Sequence, residues 1–62
     1  DREENKYLLL MGERMYEESL GDKRYLISQE LHKYEQALNS YDPGTIERAK
    51  EAFREFLKEL EE

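Results

Sequence analysis

The chain has 62 residues, no cysteine and a formal net charge of −6 at pH 7, and charged residues make up 42% of it. A chain this short forms one small domain, and without cysteine it has neither a disulfide framework nor a Cys-rich zinc site. The excess of acids argues against binding to nucleic acid or to anionic lipid, because both partners require a basic surface. Glu, Leu, Lys, Arg and Tyr dominate, which is typical of helices rather than strands.

The distribution of apolar residues argues against membrane insertion and export. The longest apolar run, residues 7–11, is far shorter than a membrane span. The charged segment at residues 1–6 lacks the apolar region of a signal peptide. The sequence therefore predicts neither a membrane span nor a targeting segment, and it leaves the localisation open.

Two breaks divide the chain. At the first, Gly21 suits the left-handed position just past a helix end, and Asp22 suits the N-cap of the next helix. At the second, Asp42 or Thr45 can cap a helix, and Pro43 fits a first helical turn. The sequence therefore predicts helices at about residues 2–20, 23–41 and 43–61 within a single domain, 1–62. Connections this short place neighbouring helices antiparallel, so we expect an all-α, up-down-up three-helix bundle.

Each predicted helix carries an apolar stripe at helical spacing. The expected core residues are Leu8, Leu9, Gly12, Met15, Tyr16, Ser19 and Leu20 in the first helix, Ile27, Leu31, Tyr34, Leu38 and Tyr41 in the second, and Ile46, Ala49, Phe53, Phe56, Leu57 and Leu60 in the third. Gly12 costs about 1 kcal/mol of helix propensity, so we expect a neighbouring helix or a ligand to approach closely there. The other face of the third helix, which includes Lys50, has mixed charges and is expected to be solvated.

The first two helices each have a second unusual face. In the first helix, Tyr7, Leu10, Met11 and Arg14 lie about 170° from the expected core stripe. In the second helix, the face opposite the core and its flank are uncharged and hold Tyr25, Ser28, Gln29, His32 and Gln36. Neutral polar and aromatic side chains are desolvated more cheaply than charged ones, and this composition is typical of the centre of a protein interface.

Antiparallel packing predicts that these two faces meet, because it sets Leu10 level with His32 and Arg14 level with Ser28. The candidate target-binding residues are Tyr7, Leu10, Met11, Arg14, Tyr25, Ser28, Gln29, His32 and Gln36. Two alternatives remain open: the same patch could join copies of this chain, or the surplus apolar residues could widen the core. We expect the free chain to be monomeric.

The sequence offers little for catalysis. His32 is the single histidine, and neither a second histidine nor a cysteine accompanies it. A Gly-rich phosphate loop is also missing, and a thin bundle leaves little room for a concave pocket. We therefore expect no enzyme activity, no catalytic residue, no metal ligand and no cofactor.

The whole chain resembles computationally designed three-helix mini-binders. The resemblance lies in the equal helices, the minimal connections, and the segment Asp42-Pro43-Gly44-Thr45 that leads into a helix of strong helix formers from Ile46 onward. In that class the first two helices carry the target contacts and the third supports them. The resemblance implies a binder that blocks a target protein, such as a receptor ectodomain or a viral glycoprotein.

A second resemblance covers about half of the chain. Arg14-Met15-Tyr16 and Ser28-Gln29-Glu30-Leu31 are similar to the helical-hairpin aspartyl-phosphate phosphatases that restrain sporulation in bacilli. That family continues with its functional Asp where this chain has His32. The resemblance implies, as an alternative, a phosphatase-like regulator of a signalling pathway.

Overall fold

The structure, a computed structural model, describes residues 2–61 and contains α1 (Arg2–Glu18), α2 (Gly21–Leu38) and α3 (Pro43–Glu61). Residues 2–61 include no strand. The predicted all-α three-helix bundle is confirmed. Asp1 and Glu62, the ends of the predicted domain, lie outside the described residues.

Three contacts show how α1 and α2 are aligned: Asn5 with Tyr34, Gly12 with Leu31, and Tyr16 with Arg24. Residues of increasing number in α1 meet residues of decreasing number in α2, so the two helices are antiparallel. This alignment agrees with the level predicted for Leu10 and His32. The bundle measures 32 × 17 × 16 Å, which is the shape expected of three short rods side by side.

The core is centred on an aromatic pair. The rings of Tyr34 and Phe53 stack with centroids 4.9 Å apart and an interplanar angle of 9°. Both side chains and Ile27 are almost completely buried. The other buried apolar residues are Leu8, Leu31, Ala37 and Leu57. Ala37 is an addition to the predicted core, since it lies off the predicted stripe of the second helix.

The start of α3 follows the sequence prediction. Asp42 is the capping residue, because its Oδ2 accepts hydrogen bonds from the Thr45 backbone N–H at 2.9 Å and from the Thr45 hydroxyl at 2.7 Å. These hydrogen bonds lower the pKa of Asp42. Pro43 occupies the first turn, where its missing N–H leaves no hydrogen bond unmade.

The ends of α1 and α2 differ from the prediction. α1 ends at Glu18, and Leu20 is extended (φ −132°, ψ 163°) and 80% exposed, so its predicted place in the core was wrong. Gly21 has the expected positive φ, 63°, but the N-cap of α2 is Leu20, and Asp22 lies in the first turn. α2 ends at Leu38, and Tyr41 has a φ of 57° and is 85% exposed. Its predicted core position was wrong because the helical stripe stops before it.

Lys50 corrects the prediction of a fully solvated outer face on α3. It is only 4% exposed, and its Nζ lies 3.0 Å from Glu4 Oε1 and 3.2 Å from Glu47 Oε2. Hydrogen bonds to Glu4 and then Glu47 raise the pKa of Lys50, and the Lys50 hydrogen bond lowers the pKa of Glu4. Arg54 forms a second ion pair with Glu4. The long lysine stem can line the core while its charged end stays paired.

Candidate protein-binding surface

α1 presents large apolar side chains to solvent. Tyr7 is 60% exposed and Leu10 is 65% exposed, while Met11 is half-buried against the core. Leu8 and Gly12 occupy the buried face of the same helix, and a helix can direct only one face into a bundle. The second apolar face of α1 is therefore left uncovered, as the sequence predicted.

Two shallow depressions flank a ridge formed by Tyr7 and Met11, here called the Tyr7/Met11 ridge. The first depression, of about 420 Å³, is lined by Tyr7, Leu10, Met11 and Arg14 and bordered by Glu13 and Glu17. The second, of about 330 Å³, lies between α1 and α3 and is lined by Tyr7, Leu8, Met11 and Leu57, with Glu4, Arg54, Lys58 and Glu61 around it. The ridge and its two depressions form one continuous surface, because Tyr7 and Met11 line both.

The outer face of α2 is organised around Tyr25, which is 63% exposed. The Gln29 side chain donates a hydrogen bond to the Tyr25 hydroxyl at 2.9 Å, and the Ser28 hydroxyl donates to the Tyr25 carbonyl at 2.7 Å. His32 and Gln36 are exposed on the same face. The result is an uncharged surface on which Gln29 holds the Tyr25 side chain from one helical turn away.

The two faces lie on neighbouring helices, and their union in one patch with an apolar centre and a polar edge stays a prediction. Asn5 of α1 contacts α2, whereas Met11 borders α3. At about 100° per residue, Tyr7 lies on the same side of α1 as Met11 and on the side away from Asn5. The apolar face of α1 is therefore turned toward α3.

Some surface residues were missed by the sequence prediction. Leu26 is 52% exposed on α2, outside the predicted patch. The sequence could have indicated this exposure, because a helix cannot bury the three consecutive apolar residues Tyr25, Leu26 and Ile27 on one face. Leu57, Arg54 and Lys58 border the α1 surface through the second depression, and no periodicity within one helix could have linked them to Tyr7.

Ser28 and His32, one turn apart on α2, are not hydrogen-bonded to each other. The Ser28 hydroxyl is engaged by the Tyr25 carbonyl instead. Within residues 2–61, no group of three or more His, Asp or Glu side chains is placed to hold a metal ion. No helix in this described part of the chain is long and apolar enough to cross a membrane.

Comparisons with protein-family models, with curated proteins and with solved structures gave no match for this chain.

Proposed function

We propose that this chain is a protein-binding module that docks the outer faces of α1 and α2 on a target protein and blocks it. The observation that carries the proposal is the exposure of Leu10 and Tyr25, at 65% and 63%. Burial of either side chain in the monomer would have left the corresponding face without an anchor. Exposed apolar patches with a polar border are typical of protein interaction sites.

The side chains on the two faces are of the kinds that anchor interfaces. Tyr and Arg are enriched among residues that dominate binding energy, and they occur here as Tyr7, Tyr25 and Arg14. Met11 can adapt its shape to a partner because its side chain is unbranched and flexible. The Gln29 hydrogen bond restrains Tyr25 before binding, which reduces the entropy lost on association. This arrangement agrees with the resemblance to designed mini-binders, so we place the target among receptor ectodomains and viral glycoproteins.

A binding screen tests the proposal. The chain is immobilised and exposed to a panel of receptor ectodomains and viral glycoproteins, and each target that binds is tested again with Leu10→Glu. Leu26→Glu is the matched control, because it makes the same change at another exposed leucine outside the predicted faces. We expect Leu10→Glu to weaken binding by more than about tenfold, as a buried carboxylate costs over 1.4 kcal/mol, and Leu26→Glu to leave it intact. Equal binding by the wild type and Leu10→Glu would contradict the proposed surface.

Self-association is the competing use of the same faces. Sedimentation at micromolar concentration is expected to show a monomer, since each copy carries a net charge of −6 and repels the next. A dimer that Leu10→Glu dissociates would assign the surface to contacts between copies instead.

A further inference from the structure

The charges around the Tyr7/Met11 ridge are unbalanced. Arg54 and Glu4, which both border the second depression, form an ion pair, whereas Arg14 is 75% exposed and lies 3.8 Å from Glu18, so its cation stays available to a partner. Apart from the Arg54–Glu4 pair, the charged side chains that border the two depressions are Glu13, Glu17, Glu61, Arg14 and Lys58. Three carboxylates thus face a partner together with two cations, so the border of this apolar surface keeps an excess of one negative charge.

The end of α1 adds to the negative potential. Glu17 and Glu18 lie in the last turn of α1, which contains no basic residue. The carbonyl groups at a helix C-terminus carry partial negative charge, and these acids add to it instead of offsetting it. The whole chain has a net charge of −6, so its long-range field also attracts cations.

The shape of the surface suits a helix. Tyr7 and Met11 are four residues apart and form one raised row on α1 with a depression on each side. Helices pack by fitting such a row into the groove between two rows of side chains on the other helix. A partner helix can therefore place apolar side chains in both depressions while it straddles the ridge.

We infer that the Tyr7/Met11 ridge and its two depressions bind an amphipathic helix of the partner protein that carries Lys or Arg beside its apolar side chains. The inference rests on the proposed protein-binding function and names the chemistry of the partner. The apolar side chains fill the depressions, and the cations meet Glu13, Glu17 and Glu61. A second copy of this chain fits the surface poorly, because it would bring acids against acids.

Two model peptides test the inference. Both have about 18 residues, long enough to form a helix, and share one leucine pattern; one carries lysine at every polar position and the other carries glutamate. Each is titrated into the isotope-labelled full chain, and backbone amide shifts are followed by NMR. We expect the Leu/Lys peptide to shift the amides of Tyr7, Met11 and Leu57, and the Leu/Glu peptide to leave them in place.

A charge-matched pair of variants separates local recognition from general attraction. Glu13→Lys/Glu17→Lys reverses two acids that border the ridge, and Glu51→Lys/Glu55→Lys reverses two exposed acids of α3 that line neither depression. Each double variant changes the net charge from −6 to −2, since two negative charges become two positive ones. We expect the first variant to weaken binding of the Leu/Lys peptide by about tenfold, and the second by much less.

The inference is overturned by an equal loss of affinity in both double variants, by equal binding of both peptides, or by no amide shift with either. Shifts confined to Tyr25 and Gln29 would also overturn it, while the protein-binding proposal for α2 would stand. Failure of the proposed protein-binding function would be seen in a separate experiment, because the ectodomain screen with the Leu10→Glu variant tests that function without these peptides.

Discussion

Phe53 occupies the space that a side chain at position 12 would need: a Cβ atom on Gly12 would lie 2.6 Å from Phe53 Cζ. The same Cβ would lie 3.1 Å from Leu31 Cδ2, so both neighbouring helices close on α1 at this glycine. Phe53 cannot easily retreat, because it is 2% exposed and stacks on Tyr34. Gly12 is therefore a point of close approach between α1 and both other helices.

Gly12→Ala is expected to destabilise the fold despite the better helix propensity of alanine. Overpacking a core costs about 1–3 kcal/mol, against a propensity gain of about 1 kcal/mol. Gly44→Ala is the matched control, because its Cβ would meet only the flexible end of Arg48, at 3.3 Å, and the Asp42 carboxylate, at 3.6 Å. Urea unfolding monitored by circular dichroism measures the free energy of unfolding of both variants. Equal stabilisation by the two variants would show that the helices do not close on Gly12.

Tyr41→Gly is expected to stabilise the chain by about 0.5–1 kcal/mol. Tyr41 has a φ of 57°, which is unfavourable for a residue with a Cβ atom, and its 85% exposed side chain contributes little packing. Tyr41→Ala separates the two effects, because it removes the ring and keeps the backbone cost. The melting temperature of Tyr41→Gly should be higher than those of Tyr41→Ala and the wild type. A Gly variant no more stable than the Ala variant would refute the backbone explanation.

Leu8→Glu should destabilise the fold strongly, whereas Leu10→Glu should leave its stability almost unchanged. Leu8 is 5% exposed and its replacement by Glu buries a charge in the core, which is expected to cost more than about 3 kcal/mol. Leu10 is 65% exposed, so the same change is expected to stay within about 0.5 kcal/mol. Thermal unfolding of both variants is the measurement. A large loss for Leu10→Glu would mean that Leu10 supports the core rather than a binding surface.

Lys50→Ala is expected to lower the melting temperature by several degrees, and Lys58→Ala to leave it almost unchanged. Lys50 is buried between Glu4 and Glu47, so its removal leaves both carboxylates without their shared cation. Lys58 is exposed on the same helix and serves as the matched control. Similar melting curves for the two variants would show that the Lys50 ion pairs contribute nothing measurable.

Acid should weaken the fold through Glu4. The Lys50 hydrogen bond, with Arg54 nearby, lowers the pKa of Glu4 below its ordinary value of 4.5. The unfolded chain therefore takes up this proton first, so the stabilisation is present above pH 4.5 and is lost as the pH falls through the lower folded pKa. Melting temperatures measured from neutral pH into acid should fall less steeply for Glu4→Gln than for the wild type. The exposed control Glu51→Gln should keep the wild-type slope, and identical slopes for all three proteins would rule out this role of Glu4.

Most local features could be predicted from the sequence because they depend on neighbours along the chain. Helical spacing identified Phe53 and Ile27 as core residues, and the same spacing left Leu10 outside the bundle. Asp42 and Pro43 carry the chemistry of a helix start, and Gly21 adopts the left-handed conformation expected of it. Each of these features follows from backbone geometry within a few residues.

The sequence by itself thus determined three amphipathic helices, the antiparallel order of α1 and α2, and an apolar face on α1 that the bundle does not cover. Only the tertiary structure decided that Lys50 is buried against Glu4, and that Tyr7 and Met11 border α3 instead of α2. The physical reason is that periodicity sets which side of each helix is apolar, but not on which side of the α1–α2 hairpin α3 packs. That choice depends on how side chains from all three helices fit together, and it places Lys58 and Leu57 beside the Tyr7/Met11 ridge.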